Sequence, residues 1–188
     1  MPQSPLSSGS ASQIAKRKGK AARAWQWLLP RLHLLIMLPT LLVLGSSPFL
    51  LMARRLRENA SIWELTHVYL GLLLVPLSLL LLYYCLTGGR AGQFFPFRQS
   101  ALGSDIKGLL RGQLPKGGGA GLFSLLEGLS ALLLCAAALT GLGWYLAEGS
   151  AEALRWRGWH QDVATAFFIV LILHVLAALS HLLDFFRR

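Results

Sequence analysis

The chain has 188 residues, 54% of them apolar and only 14% charged, with a formal net charge of +10. The charges leave four uncharged windows, Leu32 to Ala53, Leu65 to Gly89, Gly128 to Ala147 and Val163 to Leu183, of 22, 25, 20 and 21 residues. Each can cross the hydrocarbon of a bilayer, which takes roughly 20 helical residues, and four such runs exclude a soluble domain because too little polar sequence remains to cover them.

Residues 1–23 are rich in Ser, Gly, Gln and Lys without apolar periodicity and are expected to form a disordered basic cytoplasmic tail. Residues 24–188 are expected to form one membrane domain with spans near 25–51, 63–86, 119–147 and 159–183. Leu and Ala dominate these spans, with neither the β-branching nor the alternation of a membrane barrel, so they are helices. The first passes Pro30 and Pro39, which imply a kink, and the second contains Pro76. The first also lacks a small-residue cleavage site before Ser46 and is read as retained rather than as a signal peptide.

The one long loop follows the second span. It opens with Gly-Gly-Arg and the rings of Phe94, Phe95 and Phe97, which suit the membrane interface. Leu102, Ile106, Leu109 and Leu110 then share a helical face that excludes Asp105, Lys107 and Arg111, predicting a short helix lying on the membrane surface. Gly117 to Gly119 are expected to break it before the third span.

The basic run of Lys16, Arg17, Lys18 and Lys20 resembles a nucleic-acid patch, but topology accounts for it better. With the amino terminus cytoplasmic, 13 of the 18 Lys and Arg fall on the inner side, and the outer loops hold five matched by five acids. This is the positive-inside pattern, although Arg54, Arg55 and Arg57 dilute it. The fold class expected is therefore all-α: an integral, multi-pass membrane up-down four-helix bundle with both termini cytoplasmic. Cys85 and Cys135 stand alone in apolar windows, without the paired spacing of zinc or covalent haem attachment, and read as packing residues.

Histidines within spans are rare and usually functional. His160 and His174 lie 14 residues apart, which returns them to nearly one helical face about 21 Å apart along the axis. Each requires a partner at its own depth. His67, three residues after Glu64, and His160, two before Asp162, both lie near the outer edge. His33, ten residues after Arg23, and His174, ten before Asp184, share the inner level. Two neutral imidazoles fill both axial positions of a haem iron and suit electron transfer. The pairs expected are thus His67 with His160 and His33 with His174, each holding one haem b. A single such histidine would more often be a packing residue; two depth-matched pairs argue otherwise.

The motifs R-L-H-L-L at His33, T-H-V-Y-L-G at His67, W-H-Q-D at His160 and L-H-V-L-A-A-L-S-H at His174, with the loop G-R-A-G-Q-F-F-P-F-R, resemble the bacterial cytochrome b561 and nickel-hydrogenase-type cytochrome b superfamily, over about Arg31 to Leu183. The resemblance implies a four-span di-haem protein with the same ligand pairs. His181, seven residues past His174 on nearly the same face, is an alternative ligand that the family pattern disfavours.

Arg31, Arg155 and Arg157 are candidate partners for haem propionates, or ordinary membrane-edge anchors. Glu127 is placed about ten residues inside the third span if that helix starts near Gly118. It is a candidate for proton exchange with a quinone, with His181 as a second, against the simpler role of a carboxylate that snorkels or bonds across helices. No P-loop, iron–sulfur cysteine set, dinucleotide fingerprint or catalytic triad is present, so the electron donor must be a redox partner protein or a small molecule. The expected function is electron transfer between such a donor and the quinone pool. The alternatives are a self-contained oxidoreductase, such as a superoxide:quinone oxidoreductase, and a non-redox membrane scaffold or transporter.

Overall fold

The computed structural model describes residues 28, 31–51, 56, 58–87, 90–95, 100–112 and 121–186. Its elements are α1 (Arg31–Phe49), α2 (Ile62–Leu86), α3 (Ala91–Phe94), α4 (Ser100–Leu110), α5 (Leu122–Leu146) and α6 (Glu152–Phe186). Helices α1, α2, α5 and α6 are long and apolar enough to cross a membrane. The short α4 falls where the amphipathic pattern predicts it. Trp25, Pro30, Phe97, Gly117 to Gly119 and the 1–23 tail lie outside the described residues.

Local chemistry sets the ends. Within α1 the α-helical bonding gives way at Ser46 to a closing 3-10 turn, Ser47–Phe49, in which Pro48 has no N–H to donate, and the hydroxyls of Ser46 and Ser47 turn back to donate to the Val43 carbonyl at 2.8 and 2.9 Å. A capping box opens α2: the Ser61 hydroxyl accepts from the Glu64 N–H at 3.3 Å, and the Glu64 carboxylate accepts from the Ser61 N–H at 2.8 Å. Pro76 lies inside α2 without ending it.

Two helix starts differ from the starts expected for the spans they carry. The third span begins at Leu122 rather than near residue 119, because Gly121 is extended and the Leu122 N–H donates to the Asp105 carboxylate of α4 at 2.9 Å. The helix that carries the fourth span begins at Glu152, ahead of the span expected from near residue 159. Ser150 accepts the Ala153 N–H at 3.3 Å, and Glu152 in the first turn suits the positive end of the helix dipole. Arg155 and Arg157 therefore stand on the helix and not in a loop.

The packing shows the up-down order. One core cluster joins Leu32 and Ile36 of α1, Leu74 of α2, Leu134 and Ala138 of α5 and Phe167 of α6. A second joins Val68 near the start of α2, Trp144 at the end of α5 and Ala153 at the start of α6, which requires α5 to run against both neighbours. Small residues let the backbones close in: a Cβ on Gly143 would be driven into the Trp156 indole, and one on Gly128 into the Phe94 backbone, so α3 folds back onto α5. Outward positions such as Leu38, Ile169 and Leu176 remain exposed, an apolar belt that requires lipid around it. Stacked Phe49 and Trp63, with ring centroids 5.0 Å apart, mark one membrane edge. On the same side the Leu56 N–H donates to Glu148 at 2.6 Å and ties the two loops together.

Candidate functional site

His67 is the sixth residue of α2 and His160 the ninth of α6. Because α2 and α6 both run against α5 and hence parallel to each other, residues near their starts arrive at one level, and the two rings meet with centroids 6.1 Å apart and planes at 90°. Each ring is held from behind. His67 Nδ1 lies 3.1 Å from the Val43 carbonyl of α1, and His160 Nδ1 lies 2.9 Å from the Ala137 carbonyl of α5. A carbonyl only accepts, so in both rings Nδ1 carries the proton and Nε2 keeps its lone pair.

Two imidazoles on opposite sides of one metal have centroids roughly 6.3 Å apart, from about 2.0 Å per metal–nitrogen bond and about 1.15 Å from nitrogen to ring centre. The observed 6.1 Å matches that spacing. Among the described residues no group of three or more His, Cys, Asp or Glu side chains could hold a metal ion. The two imidazoles, His67 and His160, would hold a haem iron, which would supply one-electron redox chemistry.

The rings border a cavity of about 560 Å³ between all four spans, within the range of small-molecule and cofactor sites. Its walls are mainly apolar, from Leu44, Val68, Leu72, Leu134, Ala138 and Phe167 among others. Gly71, one turn beyond His67, lines it with no atom within 4 Å of where a Cβ would stand. Gly141 lets α5 approach the His160 ring, which a Cβ would meet at 3.3 Å. The buried hydroxyl of Thr40 also lines the cavity and has no hydrogen-bond partner among the described residues. An apolar slot with facing imidazoles and a spare hydroxyl donor fits a haem.

Of the three arginines singled out, Arg157 lines this cavity, three residues before His160 and so on a neighbouring part of its face. Arg155 pairs with Glu152 at 3.2 Å on the exposed surface. Arg31 is exposed in the first turn of α1, two residues before His33 and hence on a different face.

At the opposite end, His174 of α6, His33 of α1 and Glu127 of α5 come into one region of the bundle, with Cys85 of α2 near Glu127 and Arg90. His33 is exposed and His174 half-buried. Glu127 is the sixth residue of α5 rather than the tenth, and its side chain is exposed. It stands about 7.5 Å from the start of the helix, within snorkelling reach of the interface. The helix reaches His181, whose side chain lies outside the described residues. Reading the sequence for depth missed the anchors of the rings: Val43 and Ala137 act through carbonyls that carry no residue signature, although Ser46 and Thr140 three residues further on mark them.

A helical protein with four membrane-crossing helices and imidazoles facing across an apolar slot belongs to the class of membrane cytochromes b. The family model for prokaryotic cytochrome b561 matches residues 24–184, and the chain belongs to that family, whose members carry electrons on b haem. No curated protein and no solved structure matches the chain.

Proposed function

We propose that this protein carries electrons across the membrane through two bis-histidine b haems, His67 and His160 holding one and His33 and His174 the other. The observation that carries the reading is the His67–His160 pair, 6.1 Å apart with both Nδ1 atoms anchored. Bound iron supplies one-electron redox chemistry at each level. His160 and His174 on the continuous α6 set the two levels about 21 Å apart along its axis. Arg157 pairs with a propionate, and the apolar walls exclude water. The His33 end and both termini face the cytoplasm of a bacterial inner membrane, in keeping with the positive-inside distribution.

At that end Glu127, with His181 as a second candidate, exchanges protons with a quinone. The donor at the other end is a partner oxidoreductase, since the chain carries no other redox motif. A reduced-minus-oxidised spectrum of the purified protein is expected to show low-spin b-type bands with about two haems per chain, and His67→Ala to remove one and spare the other. A haem-free native protein overturns the reading. Unchanged quinone-linked turnover in Glu127→Gln, with intact spectra, removes Glu127 from the proton path. Quinone reduction by the solitary protein from a small donor would favour the self-contained oxidoreductase.

A further inference from the structure

Behind each facing ring the same device recurs on two unrelated helices. On α1 the Val43 carbonyl lies 3.1 Å from His67 Nδ1 and also accepts from the Ser46 hydroxyl, three residues on, at 2.8 Å. On α5 the Ala137 carbonyl lies 2.9 Å from His160 Nδ1 and also accepts from the Thr140 hydroxyl, three residues on, at 3.0 Å, as one branch of a shared bond whose other branch reaches the Ala136 carbonyl at 2.8 Å. The hydroxyl oxygens themselves lie 3.3 and 3.4 Å from the two Nδ1 atoms. Ser46 is completely buried, so its bonds do not trade with solvent.

We propose that Ser46 and Thr140 are positioning residues for the facing imidazoles, each sharing a single backbone carbonyl with a ring N–H and so setting the plane and the donor strength of that ring. The inference rests on the haem reading above. A carbonyl that already accepts from a hydroxyl has less electron density for the Nδ1–H. The ring then keeps more neutral-imidazole and less imidazolate character, which favours ferrous over ferric iron and raises the potential. The hydroxyl oxygen is also an acceptor for Nδ1–H, with the opposite effect. Its distances are longer than those to the carbonyl on both helices, so the shared carbonyl dominates.

The test is redox potentiometry of the purified haem-loaded protein, with haem counted per chain. Thr140→Val removes the hydroxyl while keeping the shape. It is expected to retain both haems and to shift the one-electron equilibrium of the His67–His160 haem about threefold toward the ferric form, about 28 mV lower at 59 mV per decade. Ser46→Ala moves it the same way but less, because the Ser47 hydroxyl still donates to Val43 at 2.9 Å. Thr140→Ser keeps the hydroxyl and the native potential. Loss of the haem in Thr140→Val but not in Thr140→Ser also supports the role. Unchanged potentials in both hydroxyl-free variants, or a shift as large in Thr140→Ser as in Thr140→Val, overturn it. A native protein that binds no haem overturns the parent reading instead, and the haem count separates the two failures.

Discussion

At the scale of single residues the site depends on small side chains as much as on its histidines. Gly71 leaves room one turn from His67, so Gly71→Leu is expected to fill the slot and reduce haem bound at the His67–His160 level. Absorbance per chain falling toward that of His67→Ala would show it, and full occupancy would disprove it. The two rings stand at 90°. Perpendicular imidazole planes leave two of the ferric iron's d orbitals nearly degenerate, so the electron paramagnetic resonance signal of this haem is expected to be the strongly anisotropic low-spin type. A rhombic signal, as parallel planes give, would contradict the geometry. Arg155 and Arg157 should separate as well. Arg155→Ala removes an exposed i,i+3 pair, worth at most about 0.5 kcal/mol, whereas Arg157→Ala should weaken haem retention in a detergent wash without altering the fold.

At the scale of elements, a hydrogen bond ties the loop helix α4 to a span. Asp105 accepts the first N–H of α5, and a Cβ on Gly121 would collide with the same carboxylate. Asp105→Ala should cost about 1 kcal/mol, typical of a lost helix N-terminal acceptor. It should also free α4, raising hydrogen exchange at residues 100–112 and at the first turn of α5 but not in α2 or α6. Uniform exchange across the loop in the native protein would show that the tie does not hold. On the opposite face of the membrane, Gly143→Ala drives a methyl group into the Trp156 indole. Overpacking of this kind typically costs about 1–3 kcal/mol, read as earlier thermal loss of the α5–α6 packing in detergent.

For the whole molecule, the two histidine levels matter only if they work in series. In vesicles holding an oxidant inside and a reductant outside, His33→Ala and His174→Ala should each stop transmembrane electron flow while leaving the spectrum of the His67–His160 haem intact. Flow that persists in both variants would mean that the His33 end is not on the path. The apolar belt on α6, with Ile169, Leu173 and Leu176 exposed, accounts for the need for a bilayer around the bundle.

Span number and helical type follow from sequence because hydrocarbon thickness sets a length and the absence of water requires every backbone group to bond within its own helix. The depth of each histidine follows for a related reason, since rise per residue is constant along a helix. Rotation about the axis and choice of neighbour are not set that way in spans that are apolar on every side. The tertiary packing decided that His67 and His160 face each other, that α5 lends the Ala137 carbonyl, and that Arg157 rather than Arg155 borders the cavity. It also moved Glu127 from mid-span toward the interface, because the start of α5 is fixed by Asp105, a residue 17 positions away, and not by the hydropathy of the span itself.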